Sequence, residues 1–156
     1  MAEIGAVTSI IGLVGVGIKA SFALFDLADR IGSAGDEVRL VATDISLFCS
    51  VLKEVASVIQ ESDTSQLTPA ALFLVNEVVL RCGEVVTEID KTVSSLTKDQ
   101  NLNLYDLPSL EWTRRVKWIF KRSRVQIQRQ TLEGCKSTLH LLLTTLRWSG
   151  RYSLPR

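Results

Sequence analysis

"SIIGLVGVGIKASFALF", residues 9–25, decides how the chain is read. Gly12, Gly15 and Gly17 stand within six residues of one another, and Lys19 is the only charge in the stretch. A glycine inside a helix costs about 1 kcal/mol relative to alanine, so three of them in an apolar run need a reason. The run can be a phosphate loop, a soluble core helix, or a segment that meets a membrane. A Walker A loop carries Gly-Lys-Ser/Thr after a strand, where the lysine and hydroxyl meet phosphate and magnesium. Here Ile18 separates Gly17 from Lys19, Ala20 follows, and no strand pattern precedes the glycines. Nucleotide binding is therefore not expected, and a helix remains.

On a helix, Gly5, Ser9, Gly12 and Ala23 fall close to one line, flanked by Ala2, Thr8, Gly15 and Ala20, with Gly17 and Ser21 opposite. Rows of small residues let another helix backbone approach closely, in lipid as well as in protein. Ile4 to Ile18 is uncharged and spans about 22 Å as a helix, extending to about 33 Å at Phe25. A hydrocarbon core is about 30 Å thick, so the segment is borderline for a span, with Lys19 placed to snorkel. Because the segment is apolar nearly all round, its expected place is the centre of a helical core.

Working outward, the first segment runs from about Glu3 to Ile31 and stops at the breakers Gly32-Ser33-Ala34-Gly35. From Asp36 to about Gln60, Val38, Val41, Ile45, Phe48, Leu52, Val55 and Ile59 recur at steps of three and four, an amphipathic helix. Glu61 to Ser65 reads as a polar loop. Thr68 is a natural N-cap and Pro69 suits the first helical position. Leu72, Val75, Val79, Cys82, Val86, Ile89, Val93 and Leu96 continue the same stepping. Asp99 to Pro108 reads as a loop, with Ser109 as the next cap. Trp112, Val116 and Ile119 form a short apolar face, the polar "KRSRVQIQRQ" follows as a bend or a thin-striped helix, and Leu132, Cys135, Leu139, Leu142 and Leu146 restore the pattern. The expectation is an all-α fold: a single antiparallel bundle of four to five long helices with an apolar N-terminal helix, over residues 1–150, with 151–156 as a tail or linker start.

The 156 residues carry a near-neutral charge, but unevenly. Met1 to Trp112 holds seven Lys/Arg against sixteen Asp/Glu, and Thr113 to Arg156 holds eleven against one. The basic stretch contains Arg114, Arg115, Lys117, Lys121, Arg122 and Arg124, with Trp118 among them. Two readings stand side by side. Cations and aromatic rings suit an anionic leaflet, and they equally suit the acidic helices Asp36–Glu61 and Glu77–Asp90. Nucleic acid is not expected, because pI is near neutral and no recognition motif is present.

No catalytic arrangement emerges. His140 is the single histidine, between two leucines, and Asp36-Glu37 sits at a helix start, where the helix dipole favours carboxylates. Cys82 reads as a small core residue. Cys49, Cys82 and Cys135 make no metal or disulfide pattern and suit a reducing compartment. Glu3 stands where a signal peptide carries positive charge, so secretion is not expected. No enzyme and no cofactor are expected.

The opening "IGAVTSIIGLVGVGIKASFALFDLADRIGSAGDEVRLVATDISLFCSVLKEV" and the late "VKWIFKRSRVQIQRQTLEGCKSTLHLLLTTL" closely resemble the fungal N-terminal domain of STAND proteins, the HeLo-like family, over about residues 2–148. The resemblance implies a non-enzymatic signalling or effector bundle of the innate-immunity or programmed-cell-death type, including heterokaryon incompatibility. It implies a cytoplasmic domain that self-associates on activation, is recruited to the plasma membrane, and can precede a STAND NTPase module in cis. It places Ile4, Gly5, Gly12, Gly15, Gly17, Lys19, Phe22 and Phe25 in a membrane-inserting, helix-packing role. A non-lytic adaptor that docks other helices is the alternative.

Overall fold

The structure is a computed structural model and describes residues 2–32, 35–61, 68–97 and 107–151. These form four helices: α1 (Ala2–Arg30), α2 (Gly35–Glu61), α3 (Pro69–Thr97) and α4 (Leu107–Arg151). No strand occurs among the described residues. The all-α antiparallel bundle expected from the periodicity is what the chain forms. The helices pack as a ring in the order α1, α2, α4, α3. Consecutive α2 and α3 therefore lie across a diagonal, as do α1 and α4.

The stripes explain the ring. On α2, Val38, Val41, Ala42, Ile45, Phe48, Leu52, Val55 and Ile59 are all buried. On α3, Val75, Val79, Cys82, Val86, Ile89, Val93 and Leu96 are buried, while Leu72 is half-buried. The Thr68 hydroxyl accepts the Ala71 N–H at 3.2 Å and caps α3, with Pro69 in the first turn as expected. Gly32 takes a φ of 63°, the left-handed conformation that turns the chain out of α1. Gly35 opens α2 with its Cα against the Ala28 carbonyl, where a Cβ would lie 2.5 Å from the oxygen.

Three expectations are corrected. The first segment is not central: α1 occupies a corner of the ring, packed on α2 and α3, with a face in solvent. That face carries Ile11, Val16, Lys19 and Phe22 beside its glycines and lies outside the core. Of the two readings of the polar "KRSRVQIQRQ", the continuing helix holds, and α4 runs unbroken for 45 residues. The apolar face at its start is also phased differently. Ile119 is exposed and Trp118 is buried, because the operative stripe is Trp118, Val125, Leu132, Leu139 and Leu146, one residue every seven, the spacing of a coiled-coil seam. Helix α4 also starts at Leu107, so Pro108 and Ser109 lie within its first turn rather than before it. Residues 62–67 and 98–106, where the two long loops are expected, and 152–156 of the expected tail lie outside the described residues.

The α1–α2 seam is the tightest contact. Gly17 is buried, and a Cβ there would stand 2.5 Å from Cys49 Sγ. Ser21 Oγ donates to the Ala42 carbonyl at 2.8 Å and shares a 2.7 Å hydrogen bond with Ser46 Oγ. Small residues thus bring the two backbones together, and a hydroxyl bonded across the seam satisfies its own burial. Gly17→Ala is expected to cost about 1–3 kcal/mol by overpacking, measured by urea unfolding. In a Cys49→Ala background the same change is expected to be neutral or stabilising. Equal costs in both backgrounds would show that another contact sets the spacing.

Candidate functional site

Two surfaces carry the residues that the sequence points to. The first is the outer face of α1. Gly5, Thr8, Ser9, Ile11, Gly12, Gly15, Val16, Lys19 and Phe22 are exposed on it. A Cβ built at Gly5, Gly12 or Gly15 meets nothing within 4 Å, so these glycines leave open space where Gly17 makes a close contact. Ile11 is 60 % and Phe22 70 % exposed, and the other helices also expose large apolar side chains, among them Leu40, Phe73 and Leu141. Phe25 is half-buried, and the side chain of Ile4 lies outside the described residues. From Gly5 to Ile18 no charged residue interrupts the helix. Residues Gly5–Arg30 are long and apolar enough to cross a membrane, with a best-window mean hydropathy of 1.8.

Beside this face, α1 and α3 diverge into an open groove of about 930 Å³. Leu13, Val16, Val79 and Leu80 line it, with Gly12 and Gly83 lowering its walls. Glu84, Glu88 and Lys91 stand towards one end. Leu80 is 65 % exposed, so apolar surface continues from α1 onto α3.

The second surface is the basic side of α4, and its cations have partners within the chain. Arg122 Nε donates to Glu37 at 2.8 Å, Arg129 Nε to Asp44 at 2.7 Å, and Arg147 to Glu54. Arg124 pairs with Glu88 of α3 at 3.3 Å, and Lys121 donates to Ser95. Lys117 is half-buried. The side chains of Arg114 and Arg115 lie outside the described residues. Of the two readings of the basic stretch, internal pairing holds for Lys121, Arg122 and Arg124. Trp118, expected at a leaflet, is instead 2 % exposed and donates its indole N–H to Glu37 at 3.3 Å.

Glu37 is the centre of this second surface. One carboxylate in the first turn of α2 receives Trp118, Arg122 and, at 3.1 Å, Gln126. Partial burial pushes its carboxyl up; the Arg122 and Trp118 hydrogen bonds, the Arg122 charge and the Gln126 amide outweigh this and hold it below the usual glutamate value. The sequence assigns Glu37 to the helix dipole and does not show this role; the charge count signals only that an acidic α2 can pair with a basic α4.

Among the described residues, no three His, Cys, Asp or Glu side chains cluster as metal ligands. His140 is exposed on α4. Comparison with family models, with curated proteins and with solved structures gives no match.

The lowered Glu37 value fixes the sign of a pH effect. Its contribution is fully present above the unfolded value of 4.5 and is lost as pH falls through the lower folded value. Glu37→Gln is expected to destabilise the bundle by about 1–3 kcal/mol at neutral pH. Its deficit should shrink as urea-unfolding midpoints are followed from neutral pH to acid. A deficit that does not change with pH would place the loss in shape rather than in charge.

Proposed function

We propose that this chain is a non-enzymatic effector bundle that self-associates on activation and perturbs a bilayer through α1. The observation that carries the reading is the exposure of a glycine-rich face with Ile11, Val16 and Phe22, broken by the single charge of Lys19, on the most apolar helix. What sets α1 apart is that this exposed face belongs to a helix long and apolar enough to cross a membrane. Here half of α1 is bonded into the bundle through Gly17 and Ser21, and the other half is ready for hydrocarbon. The resemblance to the HeLo-like N-terminal domains of fungal STAND proteins points the same way. It adds the cytoplasmic setting, the cell-death or immune role, and an NTPase module in cis as the source of the trigger.

In this reading the cations of α4 act first within the fold, holding a long helix against α2 and α3. Anionic lipid is the expected partner of any basic side chain left over. The second reading is an adaptor, favoured by the α1–α3 groove, whose apolar floor suits the side chains of a docked helix.

Dye release from liposomes separates the two. Ile11→Glu and Phe22→Glu each place a carboxylate on a surface that contacts no core, at about 2.5–3.5 kcal/mol for a charge at the centre of a bilayer. Each is expected to lower release at least tenfold with helicity and thermal midpoint unchanged. Neutral and anionic vesicles run side by side report what the cations add. A folded wild-type chain that releases nothing from either would favour the adaptor.

A further inference from the structure

The uneven charge of the chain is only partly neutralised inside the fold. Arg122 and Arg124 of α4 pair with Glu37 and Glu88, yet their side chains stay 60 % and 70 % exposed. On α3, Glu77 and Glu84 are exposed, and among the described residues neither has an ion-pair partner, whereas Glu88 is taken by Lys91 and Arg124. Both sets of charges alternate with apolar side chains. Phe73, Glu77, Leu80 and Glu84 follow at steps of four, three and four and share one exposed face of α3. That face is the outer rim of the α1–α3 groove, which Leu80 and Glu84 line together with Gly12 and Val16. Ile119, Ser123 and Ile127 share an exposed face of α4, with Arg122 and Arg124 on its flanks. The repeats match in length: Phe73 to Leu80 and Glu77 to Glu84 each span about 10.5 Å of helix, and Ile119 to Ile127 about 12 Å.

We propose that a second copy of this chain fills the groove, with its α4 crest from Ile119 to Ile127 seated against the α3 rim from Phe73 to Glu84. The two isoleucines enter the apolar groove beside Leu13, Val16 and Leu80, and the guanidinium groups between them meet Glu77 and Glu84. Gly12 and Gly83 supply the room, because neither carries a side chain to hold a second helix away. An α4 arginine on an α3 glutamate is a pairing the chain makes internally, at Arg124 and Glu88. The two surfaces lie on different sides of the molecule, since α4 stands diagonally across the ring from α1. The contact is therefore heterologous: a copy that gives its α4 crest keeps an open groove, and addition continues. The inference rests on the proposed self-association and gives it a surface, and the contact itself requires no bilayer.

Sedimentation of the whole chain, from micromolar to near-millimolar concentration, tests this. At low ionic strength the average mass is expected to rise past the dimer, and high salt is expected to reverse it by screening exposed pairs. Leu80→Arg blocks the groove, and Ile119→Glu with Ile127→Glu blocks the crest. All three positions are exposed, so helicity and thermal midpoint are expected to match the wild type. Each variant alone is expected to stay monomeric, and an equimolar mixture of the two to stop at a dimer, because one intact groove meets one intact crest. Glu77→Lys with Glu84→Lys reads the charge alone and is expected to weaken assembly about tenfold. A wild type that stays monomeric across the range overturns the inference. So does a mixture that stays monomeric, or a crest variant that assembles like the wild type, which places groove against groove in a closed dimer. Dye release read on the same samples separates the two readings. Assembly without release overturns only the bilayer reading, and release from a chain that never assembles overturns only this one.

Discussion

The bundle depends on what α2 offers to its two neighbours in the ring. Towards α1 it presents small residues, Ala42, Ser46 and Cys49, that let a glycine-bearing helix come close. Towards α4 it presents a row of carboxylates, Glu37, Asp44 and Glu54. Between these two sides runs the fully buried stripe from Val38 to Ile59. The two attachments differ in kind. The first is short-range packing with one hydroxyl bonded across it, and it works equally well without water. The second is electrostatic, partly exposed, and weakened by salt and acid.

That difference gives meaning to the uneven charge of the chain. A 45-residue helix rich in arginine and lysine has too little apolar surface in its first half to be held by burial alone. Paired carboxylates on α2 and α3 supply both attraction and register, and Glu37 gathers three donors from one stretch of α4. Helix α1 has the reverse composition. It has apolar surface to spare, and the bundle uses only one side of it. The fold thus separates a helix bound by charge from a helix with an unused apolar face, at opposite corners of the ring.

The glycines of the opening stretch divide along the same line. Gly17 is a contact residue whose missing Cβ admits Cys49, whereas Gly12 and Gly15 face open space. Residues that weaken a helix without serving its packing are expected where a second environment exists for them, and this is consistent with a face kept for lipid or for another helix.

Much of the architecture was legible in the chain before any coordinates. Steps of three and four on α2 and α3, the Thr68-Pro69 start and the Gly32–Gly35 break determined these helices and the large residues of their buried stripes, because helical periodicity is local. The start of α4 was misread for a local reason too: Trp118 and Val125 stand among arginines and glutamines, so the heptad that buries them is sparse against its background. What no local pattern contains is which helices become neighbours. Only the tertiary structure decided that α1 takes a corner instead of the centre and that Glu37 meets Arg122 and Trp118. Each of these depends on pairing across long sequence separations, which is settled by how whole faces match in shape and charge once the helices already exist.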